Sequence, residues 1–231
     1  MPALAIETST RTARVALVDA RGEMTGEATR TADRHSANLL AMCDELFRAA
    51  GLTPRDLRLI TCGAGPGSFT GLRVGLAIAK GLALPFGTPL VMISSLEILA
   101  HDLAEAAPSS EQLLPLLDAG KGELHAQLFV RRAGALAAEG AAWRLTPPSL
   151  VAHLQANPLL VAGGPGADRF TELTNALPAS ALLSGLAGPR ARTLFGRAIE
   201  AARRGDLADV ARAAPVYGRL PDITQPRQRP P

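Results

Sequence analysis

The stretch GAGPGSFTGLRVGLAIAKGLA, Gly63–Ala83, decides how this chain is read. Four glycines fall between Gly63 and Gly71, and the pattern then turns helical. A Walker A loop needs G-x-x-x-x-G-K-[ST], but no glycine here precedes Lys-Ser or Lys-Thr, and Lys80 lies well inside the helix. The dinucleotide fingerprint G-x-G-x-x-G also fails, because Thr70 stands where its third glycine belongs and Gly71 comes one residue late. A helix start after a glycine loop still offers free N–H groups to an anion, with Ser68 and Thr70 as hydroxyl donors. The second reading is packing. Gly71, Gly75, Ala79 and Ala83 recur every four residues and line one helix face where another backbone can come close. Interior glycine costs a helix about 0.8–1 kcal/mol against alanine, so close contact has to offset Gly75. The pattern alone leaves open whether that contact is internal or with another chain.

Working outward, Leu4–Ile6 opens a strand, Thr12–Ala20 reads as a second and Glu23–Thr31 as a third, with Arg21-Gly22 as the turn between the last two. A helix spans about Ser36–Ala50, with Leu39, Cys43 and Leu46 on one stripe, Phe47 beside it and Gly51 at its end. LRLITCGAG is a buried strand, a helix runs from about Thr70 to Leu84, and PLVMIS is the next strand. Ser94 with Glu97 predicts a capping box on a helix ending near Ala107. LLPLLDA, ELHAQLFV and Gly140–Leu145 are then three strands. Thr146-Pro147 starts a helix, PLLVAGG is a strand, and helices follow over Asp168–Ala176 and about Pro189–Arg204. Each half thus opens with three strands, helix, strand, helix, without matching residues between halves. Twice over, that order predicts two related α/β layers with a cleft between them. The expected division is 1–107 and 108–224, with the last helix (about 189–204) able to pack back on the first domain. The tail 225–231, too poor in apolar residues for a core, is expected to be disordered.

The bulk numbers narrow the function classes. With 231 residues and 47% hydrophobic content the chain is read as one or two soluble domains, without a run of roughly 18 apolar residues. No basic region precedes an apolar stretch in MPALAIETST, so no export signal or membrane partner is expected, and the reading is cytoplasmic. Cys43 and Cys62 form neither CxxC nor a disulfide scaffold. Net charge is only +3, 22 of the 24 basic residues are arginine, and aromatics are 3%, which argues against independent nucleic-acid binding.

Six segments, AIETST, HSANLL, GAGPGSFTGLRVGLAIAKGLA, ISSLEILA, LLPLLDAGKGELHAQLF and PVYGRLPDIT, together resemble the TsaB (YeaZ) family. That family is a bacterial subunit of the machinery making threonylcarbamoyladenosine in tRNA, and the resemblance runs from about Leu4 to Thr224. It implies the actin/sugar-kinase/heat-shock ATPase-like (ASKHA) fold, an α/β architecture of two ribonuclease-H-like domains that matches the duplicated element order. It also implies a noncatalytic subunit with no cofactor of its own. Such a subunit pairs with a TsaD-type catalytic paralogue, is joined by a TsaE-type ATPase that uses ATP in the complex, and meets tRNA only through that complex. Pairing in the family uses the helices that here are Ser36–Ala50 and Thr70–Leu84. The implied partner interface is Leu39, Cys43, Leu46, Phe47, Gly71, Arg73, Gly75, Ala79, Lys80 and Ala83. The same groove, made for a paralogue, can accept a second copy of this chain as a homodimer.

The first loop reads Glu7-Thr8-Ser9 where the family usually has Asp-Thr-Ser, one methylene longer. These three are candidates for a vestigial nucleotide loop, Glu7 being expected to face the cleft, as a remnant of a nucleotide site or as a simple cap. DAGKGE (Asp118–Glu123) fits the family's second-domain opening or an ordinary hairpin turn, and AGGPGADRF (Ala162–Phe170) an adenosine loop or a turn into a helix. No catalytic or metal-binding residue is assigned. His35, His101, His125 and His153 form neither HxxxH nor HExxH, and Ser68 lies outside G-x-S-x-G and reads as a loop or cap residue. Arg73 and Lys80 read as solvated charge or as contacts to acids on a partner. The competing function is an independent nucleotide-dependent phosphotransferase of the same fold.

Overall fold

The computed structural model describes residues 1–31 and 35–218, with backbone alone at 35–38. The expected disordered tail therefore lies outside the described residues. The first sheet is built from β1 (Ala3–Glu7), β2 (Thr12–Val18), β3 (Met24–Thr31), β4 (Leu59–Gly65) and β5 (Leu90–Ser94) in the order β3-β2-β1-β4-β5. β1 pairs antiparallel with β2 and parallel with β4. The second sheet comprises β6 (Gln112–Gly120), β7 (Glu123–Arg132), β8 (Ala135–Leu145), β9 (Leu160–Gly163) and β10 (Leu182–Leu183), ordered β10-β9-β6-β7-β8. Read from its other edge it repeats the first sheet, including the antiparallel β6–β7 and parallel β6–β9 pairs. Each half is a ribonuclease-H-like unit, and the duplicated pair is the α/β ASKHA architecture. β10 is two residues long, too short for an alternating pattern to announce it in the sequence.

β1 is central and wholly buried, and its alternation distributes two different faces. Leu4 and Ile6, with Val15 and Leu17 of β2, face the core shared by α1 (His35–Ala50) and α2 (Phe69–Ala83). Ala3 and Ala5, with Ala16 and Val18, face α6 (Ala191–Arg204) through Ala191, Leu194, Phe195, Ala198 and Ala201. The alanines let the helix backbone lie close to the sheet. α6 thus packs on the first sheet, although its sequence follows the second.

α3 (Ser95–Ala106) makes the reciprocal exchange. Its Leu96, Leu99, Ala100 and Leu103 share a core with Leu113, Leu117 and Phe129 of the second sheet. The two crossing helices are tied together by Asp102, which is 4% exposed and accepts from Arg190 N at 2.9 Å, Arg190 Nε at 2.7 Å and Thr193 Oγ1 at 2.5 Å. The capping box expected on α3 does not form: Ser94 is the N-cap without a side-chain cap bond, and Glu97 instead accepts from Arg197 Nε at 3.0 Å on α6. Thr146 does cap α4 (Pro147–Ala156), accepting from Ser149 N. The helix expected from Asp168 is a short 3-10 turn followed by α5 (Thr171–Ala176).

After α6 the chain returns over the first domain. Ala208 bridges to Leu90, its N–H donating to Leu90 O at 2.8 Å, and Lys80 Nζ donates to Ala211 O at 2.9 Å and to Ala213 O at 3.2 Å. Val216 N then donates to Ala64 O at 2.7 Å, at the end of β4.

Candidate functional site

The glycine-rich stretch nests against its own chain. Ser68 N donates to Ser9 O at 2.7 Å, and a Cβ on Gly67 or Gly71 would fall on the backbone carbonyls of Ser9 and Thr8. A Cβ on Gly75 would fall on Thr8 Oγ1, and one on Gly63 on the Glu7 carboxylate. Ser68 is the N-cap of α2, its Oγ accepting from Gly71 N at 3.2 Å. The glycines therefore let a loop and a helix lie against the end of β1.

This corrects the expected interface. Gly71, Gly75, Ala79 and Ala83 are buried within the chain, the two alanines with no exposed surface. Their small size is explained by Thr8 and the sheet beneath them, so they form no groove for a second chain. Leu39, Cys43, Leu46 and Phe47 are likewise core residues on the inner face of α1. Lys80 is occupied by the carbonyls of Ala211 and Ala213. Arg73 alone of the ten is exposed, its guanidinium 5.3 Å from the Phe69 ring centroid.

The outward face of α2 carries a different row. Thr70, Arg73, Ala77, Gly81 and Leu84 are exposed and fall on one stripe, nearly opposite the buried small residues. Gly81 has open space where a Cβ would stand. Leu40, 54% exposed, adds an apolar side chain on α1. Taken from Phe69 to Phe86, this region is long and apolar enough for a membrane span by length and composition alone. Its inner face is nonetheless sealed on the first sheet, and it carries Arg73 and Lys80.

Between the two domains lies a cleft of about 810 Å³. Ser9–Thr12 and Gly67–Phe69 line it from the first domain, Asp118–Gly120, His125 and Arg169 from the second. Asp118 accepts from Gly120 N at 2.9 Å and pairs with Arg169, so DAGKGE is both a hairpin turn and a cleft wall. The AGGPGADRF loop reaches the same wall through Pro165 and Gly166. Of the three candidate loop residues only Ser9 lines the cleft, while Thr8 is buried beneath α2.

Glu7 does not face the cleft as expected. It is fully buried, with Oε1 accepting from Ser9 N at 2.6 Å and Oε2 without a partner. Burial pushes its carboxyl above the ordinary range, against the lowering effect of its bonds to Ser9. Arg14, opposite Glu7 in register, instead donates to Ala187 O at 2.5 Å and so ties β2 to the approach to α6. Of the histidines, His125 lines the cleft and His101 is half-buried between α3 and α6; burial lowers the pKa of both. The side chain of His35 lies outside the described residues. Among the described residues no group of three or more His, Cys, Asp or Glu is placed to hold a metal ion.

Comparisons with known proteins agree with this architecture. The family model described as TsaD, tRNA N6-adenosine threonylcarbamoyltransferase, matches residues 28–211. The tRNA threonylcarbamoyladenosine biosynthesis protein TsaB of Haemophilus influenzae is 37% identical over 128 residues, 55% of this chain and 53% of that protein. The Escherichia coli TsaB is 33% identical over 125 residues, 54% of this chain and 53% of its own. These alignments span about half the length of the curated relatives. The structure of YeaZ from Pseudomonas aeruginosa superposes with a TM-score of 0.76 at 26% identity, covering 94% of this chain and 100% of that one. With its duplicated sheets and its sequence kinship pointing the same way, the chain belongs to the tRNA N6-adenosine threonylcarbamoyltransferase family, in its TsaB (YeaZ) branch.

Proposed function

We propose that this protein is a noncatalytic subunit in the synthesis of tRNA threonylcarbamoyladenosine. It pairs with a TsaD-type catalytic paralogue and organises it for threonylcarbamoyl transfer to the adenosine beside the anticodon. A TsaE-type ATPase joins the pair and consumes ATP; this chain holds no cofactor itself and reaches tRNA only through the complex, in the cytoplasm. Kinship with TsaB and TsaD sequences supports the reaction assigned to the complex. The observation that carries the pairing is the outward stripe of α2. Its Ala77 and Gly81 leave a shallow notch beside Leu84 and Arg73, on a helix far more apolar than a solvated surface helix requires. A partner helix laid there buries the exposed apolar side chains and approaches the backbone at Gly81. The same face serves a homodimer when the paralogue is absent.

Gly81→Arg tests this reading. The side chain enters open space, and replacing a helical glycine by arginine favours the helix by less than about 1 kcal/mol. The expected result is an unchanged or raised melting temperature with loss of co-purification with the paralogue. Full retention of binding would refute the proposed surface. For the competing phosphotransferase reading, saturable ATP hydrolysis by the purified chain alone is the deciding result.

A further inference from the structure

The last described residues of the chain cross from one domain to the other. Up to Ala213 the returning segment is fastened to the first domain by Leu90 and Lys80. Val216 extends that attachment through Ala64, and Tyr217 lies against Phe69 with ring centroids 4.8 Å apart. Gly218 then reaches the second domain: a Cβ there would fall on the His125 ring, so only glycine fits that closely. Tyr217 and Gly218 both line the cleft, together with Phe69 and His125 from its two walls. Val216, Tyr217 and Gly218 are themselves exposed, so among the described residues this stretch is held by fewer contacts than its root.

From this placement we infer that 209–218 is an intramolecular latch across the mouth of the interdomain cleft. Its root stays on the first domain, and Tyr217 and Gly218 swing away from Phe69 and His125 to admit an occupant. Release of the latch end then widens the entry to the cleft. The latch also spans the two domains, so lifting it frees one from the other at this edge.

A cysteine introduced on the cleft wall, Ala119→Cys, reads the gate directly. Burial pushes the thiols of Cys43 and Cys62 up to about 12, leaving the introduced thiol as the reactive one. In the full chain, Ala119→Cys is labelled with a bulky maleimide in the presence of the native latch, of Gly218→Val and of Phe69→Ala. The latch predicts labelling at least about tenfold faster in both variants than with the native latch. Adding His125→Ala to Gly218→Val should return the rate to that of His125→Ala alone, because the valine then has room. Equal labelling in all latch backgrounds would overturn the inference, and if Gly218→Val fails to fold, the exposed-site variant Phe69→Ala decides it.

Discussion

Thr8 crowds the space into which a side chain on Gly75 would grow, its Oγ1 lying within clashing distance of where that Cβ would be built. This contact joins the end of β1 to the middle of α2 and orients the whole helix. It turns the row Gly71-Gly75-Ala79-Ala83 inward and leaves Thr70, Arg73, Ala77, Gly81 and Leu84 facing out.

Gly75→Leu is therefore expected to destabilise the monomer. Overpacking a filled site typically costs about 1–3 kcal/mol, and Thr8 is itself buried with little room to retreat. Urea unfolding of the isolated chain measures it. Thr8→Ala opens space at that contact, so combining it with Gly75→Ala should recover part of the loss that Gly75→Ala causes alone.

Glu7→Gln should stabilise the protein at neutral pH. The folded state holds the Glu7 proton more tightly than the unfolded chain does, because burial disfavours the carboxylate. The wild-type protein thus loses stability as pH rises from the ordinary value of 4.5 through the raised folded value. The glutamine is neutral throughout, so its melting temperature should exceed the wild type's at pH 7 to 8, and the advantage should shrink as pH falls towards 4.5. An advantage that persists undiminished in acid would point to packing as its cause.

Asp102→Ala should loosen the exchange of helices between domains. It leaves the Arg190 N–H and the Thr193 hydroxyl without their acceptor at a largely buried site, a loss of about 1–3 kcal/mol. The Arg190 side chain is 40% exposed and keeps Glu105 as a partner, so it is not stranded. Hydrogen exchange should quicken first at the start of α6, and unchanged protection there would count against the clamp.

Cys43 and Cys62 should resist alkylation at pH 8 in the native protein, since both thiols are buried and pushed up to about 12. Both should react with Ellman's reagent only on denaturation. Rapid native labelling of either would show that the first domain opens far more readily than its packing implies.

Much of the fold was legible because its signals are local. The apolar runs at Leu4–Ile6 and Thr12–Ala20, the stripe Leu39-Cys43-Leu46 and the stop at Gly51 each depend on neighbours a few residues away. The cap at Thr146 was local too, whereas Ser94-Glu97 misled because Arg197, a hundred residues on, takes the Glu97 carboxylate. The latch and the two-residue β10 gave no periodic pattern, so their positions depend on distant partners: Leu90, Lys80 and Ala64 for the one, β9 for the other.

By itself the sequence determined most of the order of elements, their repetition in two halves and the residues that mark the family. Tertiary structure decided which side of α2 is available to another protein. Both sides of that helix carry small residues, so size alone does not distinguish them along the chain. The choice is made with Thr8, which lies just after β1, more than sixty residues earlier, and packs against the glycine face.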